Sequence, residues 1–185
     1  MKEPRLPNTG EGLGLAGAID HLPFREIGGA EVDRARRYRN PLSCLVIDVA
    51  RFDPTADGQD SAAQNLVLQH FVSVCKATLR SPDYIGRTGD VEFAIMLPET
   101  LLLQALGVAE RILENLAAST SDASQRHLPA TISIGVAEHD DQTGSLDQFL
   151  NAARIAMQDA KWNGRNQAAC YLDDVQLISN APIVN

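Results

Sequence analysis

The chain has 185 residues, of which 44% are hydrophobic and 22% charged, and its formal net charge is −8. This size and balance allow one α/β domain with a sizeable core and short tails. The acidic charge argues against general affinity for nucleic acid or an anionic membrane surface. No apolar run reaches about 18 residues, which predicts that the chain does not insert into a membrane.

The first predicted elements follow a Gly- and Pro-rich stretch at 1–20, which we expect to be a loose lead-in without a signal peptide. A charged helix is predicted from Phe24 to Tyr38. The β-branched run at 43–52 predicts a buried strand. A turn-rich loop then precedes a second helix, whose apolar residues follow i, i+3, i+4 spacing. This stripe consists of Ala63, Leu66, Val67, Phe71, Val74, Cys75, Thr78 and Leu79.

A hairpin is the next predicted element. The segment DYIGRTGDVEFAIMLPE (83–99) indicates two strands joined by a tight turn at Thr88–Asp90, where Gly89 can adopt a positive φ. A helix is then predicted from about Glu99 to Leu116, again from its apolar spacing.

The last elements complete an α/β pattern. A buried strand is predicted at 129–139, and an amphipathic helix from Leu146 to Lys161 that ends at Asn163–Gly164. The run QAACYL (167–172) indicates a last strand. Because helices alternate with strands and hairpins, we expect helices packed on a mixed sheet. The predicted domain covers 21–174, with a C-terminal tail at 175–185.

Three cysteines lie far apart in apolar surroundings, and this pattern predicts reduced core residues of a cytoplasmic protein. They are Cys44, Cys75 and Cys170. The four histidines are scattered, with no carboxylate or thiol spaced to complete a ligand set. We therefore expect no metal site built on histidine or cysteine.

Four segments, taken together and in this order, resemble the GGDEF domain family, the diguanylate cyclases, which condense two GTP molecules into cyclic di-GMP. The segments are RARRYRNPLSCLVIDV, RTGDVEFAIMLPET, TISIGVAE and AKWNGRNQ. The resemblance runs from about Phe24 to Gln167. It implies a palm-like α/β fold, in which helices flank a central mixed, mainly antiparallel sheet.

The catalytic positions of the family are only partly kept. Asp48 matches the acid that ends the first strand, but Val91 stands where the signature has its metal-holding acid and Asp90 stands at its second glycine. A valine side chain offers no oxygen to a hard cation such as Mg²⁺. Other family positions are also changed, at Asp53, Ala56 and Asn65.

The resemblance therefore implies a degenerate domain that is not an enzyme. In this interpretation Asp48, Gly89 and Glu92 are vestigial catalytic residues, no Mg²⁺ or other cofactor is expected, and Asp48 is only a remnant of the metal site. Lys161 and Arg165 match phosphate-holding residues of active members. Alternatively, these two are a solvated helix end beside a Gly cap.

A second family feature is an inhibitory site for cyclic di-GMP, marked by an R-x-x-D tetrapeptide upstream of the signature. Here RSPD, from Arg80 to Asp83, has that spacing, and Arg111 matches an Arg of the following helix. Arginine forks can bond guanine O6 and N7, Asp83 can accept from the guanine N1–H and N2–H edge, and Arg80 or Arg87 can hold a phosphate oxygen. The alternative interpretation of RSPD is a helix cap and turn.

Three hypotheses follow. The leading one is an inactive receptor that binds cyclic di-GMP through Arg80, Asp83, Arg87 and Arg111 and signals to a partner protein or a second copy of itself. The second is residual cyclase activity with Glu92 replacing the missing ligand, although alternation places Glu92 and Val91 on opposite faces of their strand. The third is an interaction module that binds no nucleotide.

Overall fold

A six-stranded sheet carries four helices in this computed structural model, which describes residues 14–51, 61–120, 130–140, 144–172 and 177–179. The helices are α1 (His21–Tyr38), α2 (Ser61–Thr78), α3 (Leu102–Thr120) and α4 (Leu146–Trp162). The strands are β1 (Leu42–Arg51), β2 (Tyr84–Arg87), β3 (Glu92–Pro98), β4 (Ala130–Glu138), β5 (Gln167–Cys170) and β6 (Leu177–Ser179). A 3₁₀ turn, Leu15–Gly17, precedes α1.

The strand order is β2-β3-β1-β4-β5-β6, and every ladder is antiparallel except that between β4 and β5. A parallel neighbour needs a crossover connection, which α4 provides by packing on the sheet between the two strands. The α/β class with a mixed, mainly antiparallel sheet flanked by helices is thus confirmed. No helix in the part of the chain that the structure describes is long and apolar enough to cross a membrane.

The two faces of the sheet are set by alternation along β1. Leu45 and Ile47 point into a core shared with α2 and α3, whereas Cys44 and Val46 point into a core shared with α1 and α4. Asp48 continues the second set, because its carboxylate meets a side chain of α4. The α4 face therefore becomes polar where β1 approaches its end.

Gly135 of β4 lets α4 approach the sheet at backbone distance. A Cβ at this position would lie 1.9 Å from the Ala153 carbonyl oxygen and 2.2 Å from the Met157 nitrogen. Both neighbours are backbone atoms of α4, so a side chain at Gly135 would force the helix outward. The glycine thereby fixes how close α4 brings its polar side chains to the strands.

The structure differs from the expected ends of the domain. Residues 1–13 lie outside the described part, but Ala18 is fully buried and Ile19 bonds to β2: its N–H donates to Ile85 O at 2.9 Å, and Arg87 N–H donates to Ile19 O at 2.8 Å. This part of the expected lead-in is therefore attached rather than loose, because Ile19 pairs with the open edge of β2. At the other end, part of the expected tail forms β6 and pairs with β5.

Candidate functional site

The signature hairpin closes through side-chain bonds of Arg87. Its Nε donates to Gly89 O at 3.0 Å and its Nη2 to Asp90 O at 2.5 Å, while the N–H groups of Thr88 and Gly89 donate to Glu92 O at 2.9 and 3.1 Å. The two predicted strands are confirmed, but Gly89 is not among the residues with positive φ. The Arg87 guanidinium donates to the carbonyl oxygens of the turn and stabilises it, a role that we expected a positive φ at Gly89 to fill.

A row of polar side chains crosses four strands beneath α4. The ladders pair Asp48 with Glu92 on one side and with Ser133 on the other, and Ser133 with Gln167. Residues paired in this way lie on the same face of a sheet. The register therefore brings the two carboxylates together as direct cross-strand neighbours.

Two cations from α4 neutralise these two carboxylates. Lys161 Nζ lies 2.8 Å from Asp48 Oδ1, and Arg154 donates to both oxygens of Glu92, from Nε at 3.0 Å and from Nη2 at 2.7 Å. Thr88 Oγ1 adds a donor to Glu92 at 2.9 Å. All four charged side chains are partly buried, which strengthens their attraction relative to exposed pairs.

Burial would raise the pKa of the Glu92 carboxyl, but the pKa is lowered overall. The hydrogen bonds from Arg154 and Thr88, and the positive charges of Arg154 and Lys161, together outweigh the burial. The same contact raises the pKa of the Arg154 guanidinium, chiefly through its hydrogen bond to Glu92. Glu92 is therefore held ionised, as the anionic partner in a bidentate ion pair.

Sequence reasoning missed Arg154. Its place in the sequence did contain a signal: it lies seven residues before Lys161, so both occupy the same face of one helix, two turns apart. Arg165, by contrast, is exposed, follows Gly164 in a left-handed conformation (φ 62), and makes no ion pair with the residues described. The structure thus brings Asp48, Glu92 and Lys161 together and leaves Arg165 at the helix end.

The Mg²⁺ that the family's reaction implies needs oxygen ligands that are not already paired with cations. Here each carboxylate of the row faces a basic side chain, and the described ranges contain no group of three or more His, Cys, Asp or Glu suited to a metal ion. While Asp48 and Glu92 are paired with Lys161 and Arg154, their carboxylates do not fit Mg²⁺ as ligands. The expectation of no metal cofactor remains a prediction.

The R-x-x-D segment forms a turn that holds Arg80 on two sides. Its backbone N–H donates to Asp83 Oδ2 at 2.9 Å, and its Nε and Nη2 approach the same carboxylate at 3.4 and 3.3 Å. Nη2 also donates to Thr100 Oγ1 at 2.9 Å. The Arg80 side chain is nevertheless 59% exposed, whereas that of Asp83 is 1% exposed. The turn therefore presents a guanidinium outward and hides its carboxylate.

Arg111 lies on the exposed face of α3, where it makes no hydrogen bond or ion pair with the described residues. One turn further on, Asn115 Nδ2 donates to Thr78 Oγ1 at 3.0 Å. At the other end of the helix, Arg80 contacts Thr100, just before α3 begins. Along the chain, Arg111 lies between these two contacts, about one turn before Asn115.

Comparisons with known proteins agree on one family. The model described as "Diguanylate cyclase, GGDEF domain" matches residues 21–167. Diguanylate cyclase A of Treponema denticola is 32% identical over 136 residues, which cover 74% of this chain and 37% of the relative. The chain spans about a third of the length of the first curated relatives it matches.

Two solved structures extend the comparison. The GGDEF domain of DgcB from Caulobacter crescentus, in complex with c-di-GMP, matches with a TM-score of 0.77 and 19% identity over 92% of this chain and 99% of that one. Diguanylate cyclase SiaD from Pseudomonas aeruginosa, in complex with its activator SiaC, matches with a TM-score of 0.75 and 28% identity over 84% of this chain and 60% of that one.

The expectation that the chain is not an enzyme is wrong, because the relatives it matches are named diguanylate cyclases and the family is enzymatic. That expectation depended on Val91 and on the alternation of Glu92 relative to it. Alternation within one strand did not show that the register places Glu92 directly opposite Asp48.

Proposed function

We propose that this chain, which belongs to the GGDEF domain family, binds cyclic di-GMP at a guanidinium site formed by Arg80 and Arg111. The observation that carries the proposal is the state of Arg80, whose guanidinium is held by Asp83 and Thr100 and is still 59% exposed. A held and exposed guanidinium is a ready donor for planar or anionic acceptors.

The chemistry of the ligand suits such a site. Cyclic di-GMP offers phosphate oxygens and the O6 and N7 acceptors of guanine, and an arginine fork can bond either pair. The Nη1 group of Arg80 makes no hydrogen bond to the described residues, and Arg111 can supply a second cation. In a chain of net charge −8, an arginine side chain that stays 59% exposed is a local positive charge that attracts an anion.

Asp83 and Arg87, both expected to contact the ligand, have other roles in this proposal. The oxygens of Asp83 are buried and occupied by Arg80, so its carboxylate holds the arginine and does not accept from the guanine edge. Arg87 uses its Nε and Nη2 on the carbonyls of the hairpin turn, at the end of β2 that lies away from Arg80, so it is not a ligand contact in this proposal.

Binding would act on a partner protein or on a second copy of the domain. SiaD was solved with its activator protein, which supports a contact with a protein partner for this domain as well. Such coupling requires that the ligand bind one state of the complex more tightly than the other. The three reduced, buried cysteines support placing this function in the cytoplasm.

Isothermal titration with cyclic di-GMP tests the proposal. The parent should bind, and Arg80→Ala should weaken binding by about ten- to hundredfold, since a hydrogen bond to a charged group contributes about 1.5–3 kcal/mol. Arg111→Ala should weaken binding to a smaller extent.

The matched control for Arg80→Ala is Arg36→Ala. Arg36 forms an i, i+3 ion pair with Asp33 like that between Arg80 and Asp83, but on α1. This control should bind as the parent does. No heat with the parent, or equal loss in both variants, would reject the proposal, and an absence of heat with every guanine nucleotide would favour a nucleotide-independent interaction module.

A second candidate is diguanylate cyclase activity itself, favoured by the names of the relatives and by the direct pairing of Asp48 with Glu92. A triphosphate would compete for Lys161 and release the Asp48 carboxylate. Incubation with GTP and Mg²⁺, followed by chromatography of the products, tests this candidate. If it is correct, cyclic di-GMP appears and Asp48→Asn abolishes its formation, whereas Asp33→Asn does not.

A further inference from the structure

We infer that Thr100 is a positioning residue for ligand recognition, because it fixes the Arg80 guanidinium in the orientation that cyclic di-GMP meets. This inference rests on the proposed binding function and adds a residue that lies 20 positions away from Arg80 in the sequence. The threonine is only 2% exposed, so it does not contact the ligand itself.

The hydroxyl of Thr100 has one defined role as an acceptor. Its Oγ1 lies 3.0 Å from Pro98 O, to which it can only donate, and 2.9 Å from Arg80 Nη2, from which it can only accept. The single hydroxyl proton is therefore directed to Pro98, and a lone pair is directed to the guanidinium.

Thr100 is itself anchored to the sheet. Its carbonyl oxygen accepts a hydrogen bond from Ser43 Oγ at 2.8 Å, and Ser43 is fully buried at the start of β1. Pro98, the partner of the hydroxyl, ends β3. Two central strands thus hold the oxygen that receives Arg80, and this support is more rigid than an exposed loop.

The consequence is a guanidinium held in advance of binding. Asp83 accepts from Nε and Nη2 and Thr100 accepts from Nη2, so Nη1 is the nitrogen that has no bond to the described residues. Immobilising a side chain with many rotamers upon binding costs free energy, and the bond from Arg80 to Thr100 removes part of that cost before the ligand arrives. Loss of the bond between Arg80 and Thr100 should therefore weaken binding without removing any contact to the ligand.

The test compares Thr100→Val, which deletes the accepting oxygen, with Thr100→Ser, which keeps it. Titration with cyclic di-GMP should show affinity about three- to tenfold weaker for the valine variant, and affinity equal to the parent for the serine variant. Thermal unfolding is measured in parallel. A purely structural role would lower the melting temperature of Thr100→Val and leave its affinity at the parental value.

The outcomes separate the two proposals. If the parent binds and Arg80→Ala does not, but Thr100→Val binds like the parent, the positioning role is overturned and the proposed function stands. If the parent does not bind, both fall. Should Thr100→Val fail to fold, Thr100→Ala deletes the same oxygen without placing a methyl group against the guanidinium, and the same comparison decides.

Discussion

Replacement of Gly135 by alanine tests how α4 is placed over the polar row. The added Cβ would lie 1.9 Å from Ala153 O and 2.2 Å from Met157 N, whereas non-bonded carbon contacts lie near about 3.5 Å. Both obstacles are backbone atoms, so α4 must move outward by more than about 1 Å. Overpacking of this kind costs about 1–3 kcal/mol or more.

The displaced helix also carries Arg154 and Lys161 away from their carboxylates. Weakening two partly buried ion pairs adds about 1–2 kcal/mol. The expected total for Gly135→Ala is about 2–5 kcal/mol, a large share of the usual 5–15 kcal/mol stability of a domain. Arg154 and Lys161 would lose their bonds together, since one helix holds both.

Urea unfolding followed by circular dichroism measures this loss. Gly29→Ala is the matched control: it makes the same chemical change within α1, where an added Cβ meets nothing within 4 Å. Alanine is the better helix former, so this control should stabilise the fold by about 0.5–1 kcal/mol. A loss below about 1 kcal/mol for Gly135→Ala would refute the backbone-contact reasoning.

Three further predictions concern charge, thiols and a helix start. The ion pair with Arg154 lowers the pKa of Glu92 in the folded chain, so the stability that this pair contributes is present above the ordinary pKa of 4.5 and is lost as pH falls through the lower folded-state value. In urea titrations, the difference in unfolding free energy between the parent and Glu92→Gln should therefore shrink over that acid range. Burial raises the pKa of all three thiols, that of Cys170 to about 11. A thiol reagent at neutral pH should therefore label none of the cysteines in the folded chain and all three after unfolding. Labelling of the folded chain would contradict their burial. Ser145 accepts from Gln148 N–H at 3.3 Å in a capping box, so Ser145→Ala should cost about 0.5–2 kcal/mol and Ser145→Asp much less; equal losses would remove the cap from the explanation.

The elements with strong periodic patterns were predictable. The α4 stripe and its Asn163–Gly164 ending gave helix bounds within one residue of the structure, since apolar spacing and a glycine with φ +118 are local properties. The β-branched run of β1 was likewise read correctly, because a strand buried on both faces has few polar residues.

The polar row could not be predicted, because cross-strand register is a property of the assembled sheet. Nothing local in the sequence sets Glu92 opposite Asp48, or brings Arg154 to Glu92 from a position more than sixty residues away. The conclusion drawn from Val91 is contradicted by the relatives, which are named diguanylate cyclases.

The guanidinium site was half predictable. The R-x-x-D spacing indicates that Arg80 and Asp83 can meet within one turn, and they do. The burial of Asp83 and the bond from Arg80 to Thr100 depend on how β3 ends beside this turn, which only the folded chain reveals. The turn from Arg80 to Asp83 is compatible with both alternatives for RSPD, a ligand-binding segment and a helix cap and turn.

The most direct measurement of the central claim is an NMR titration that follows the arginine Nε–H signals of the labelled 20.0 kDa chain as cyclic di-GMP is added. We predict that the signals of Arg80 and Arg111 shift with the same saturation curve, while those of Arg36 and Arg154 stay in place. Shifts confined to Arg154, or none at saturating nucleotide, would contradict binding at the guanidinium site.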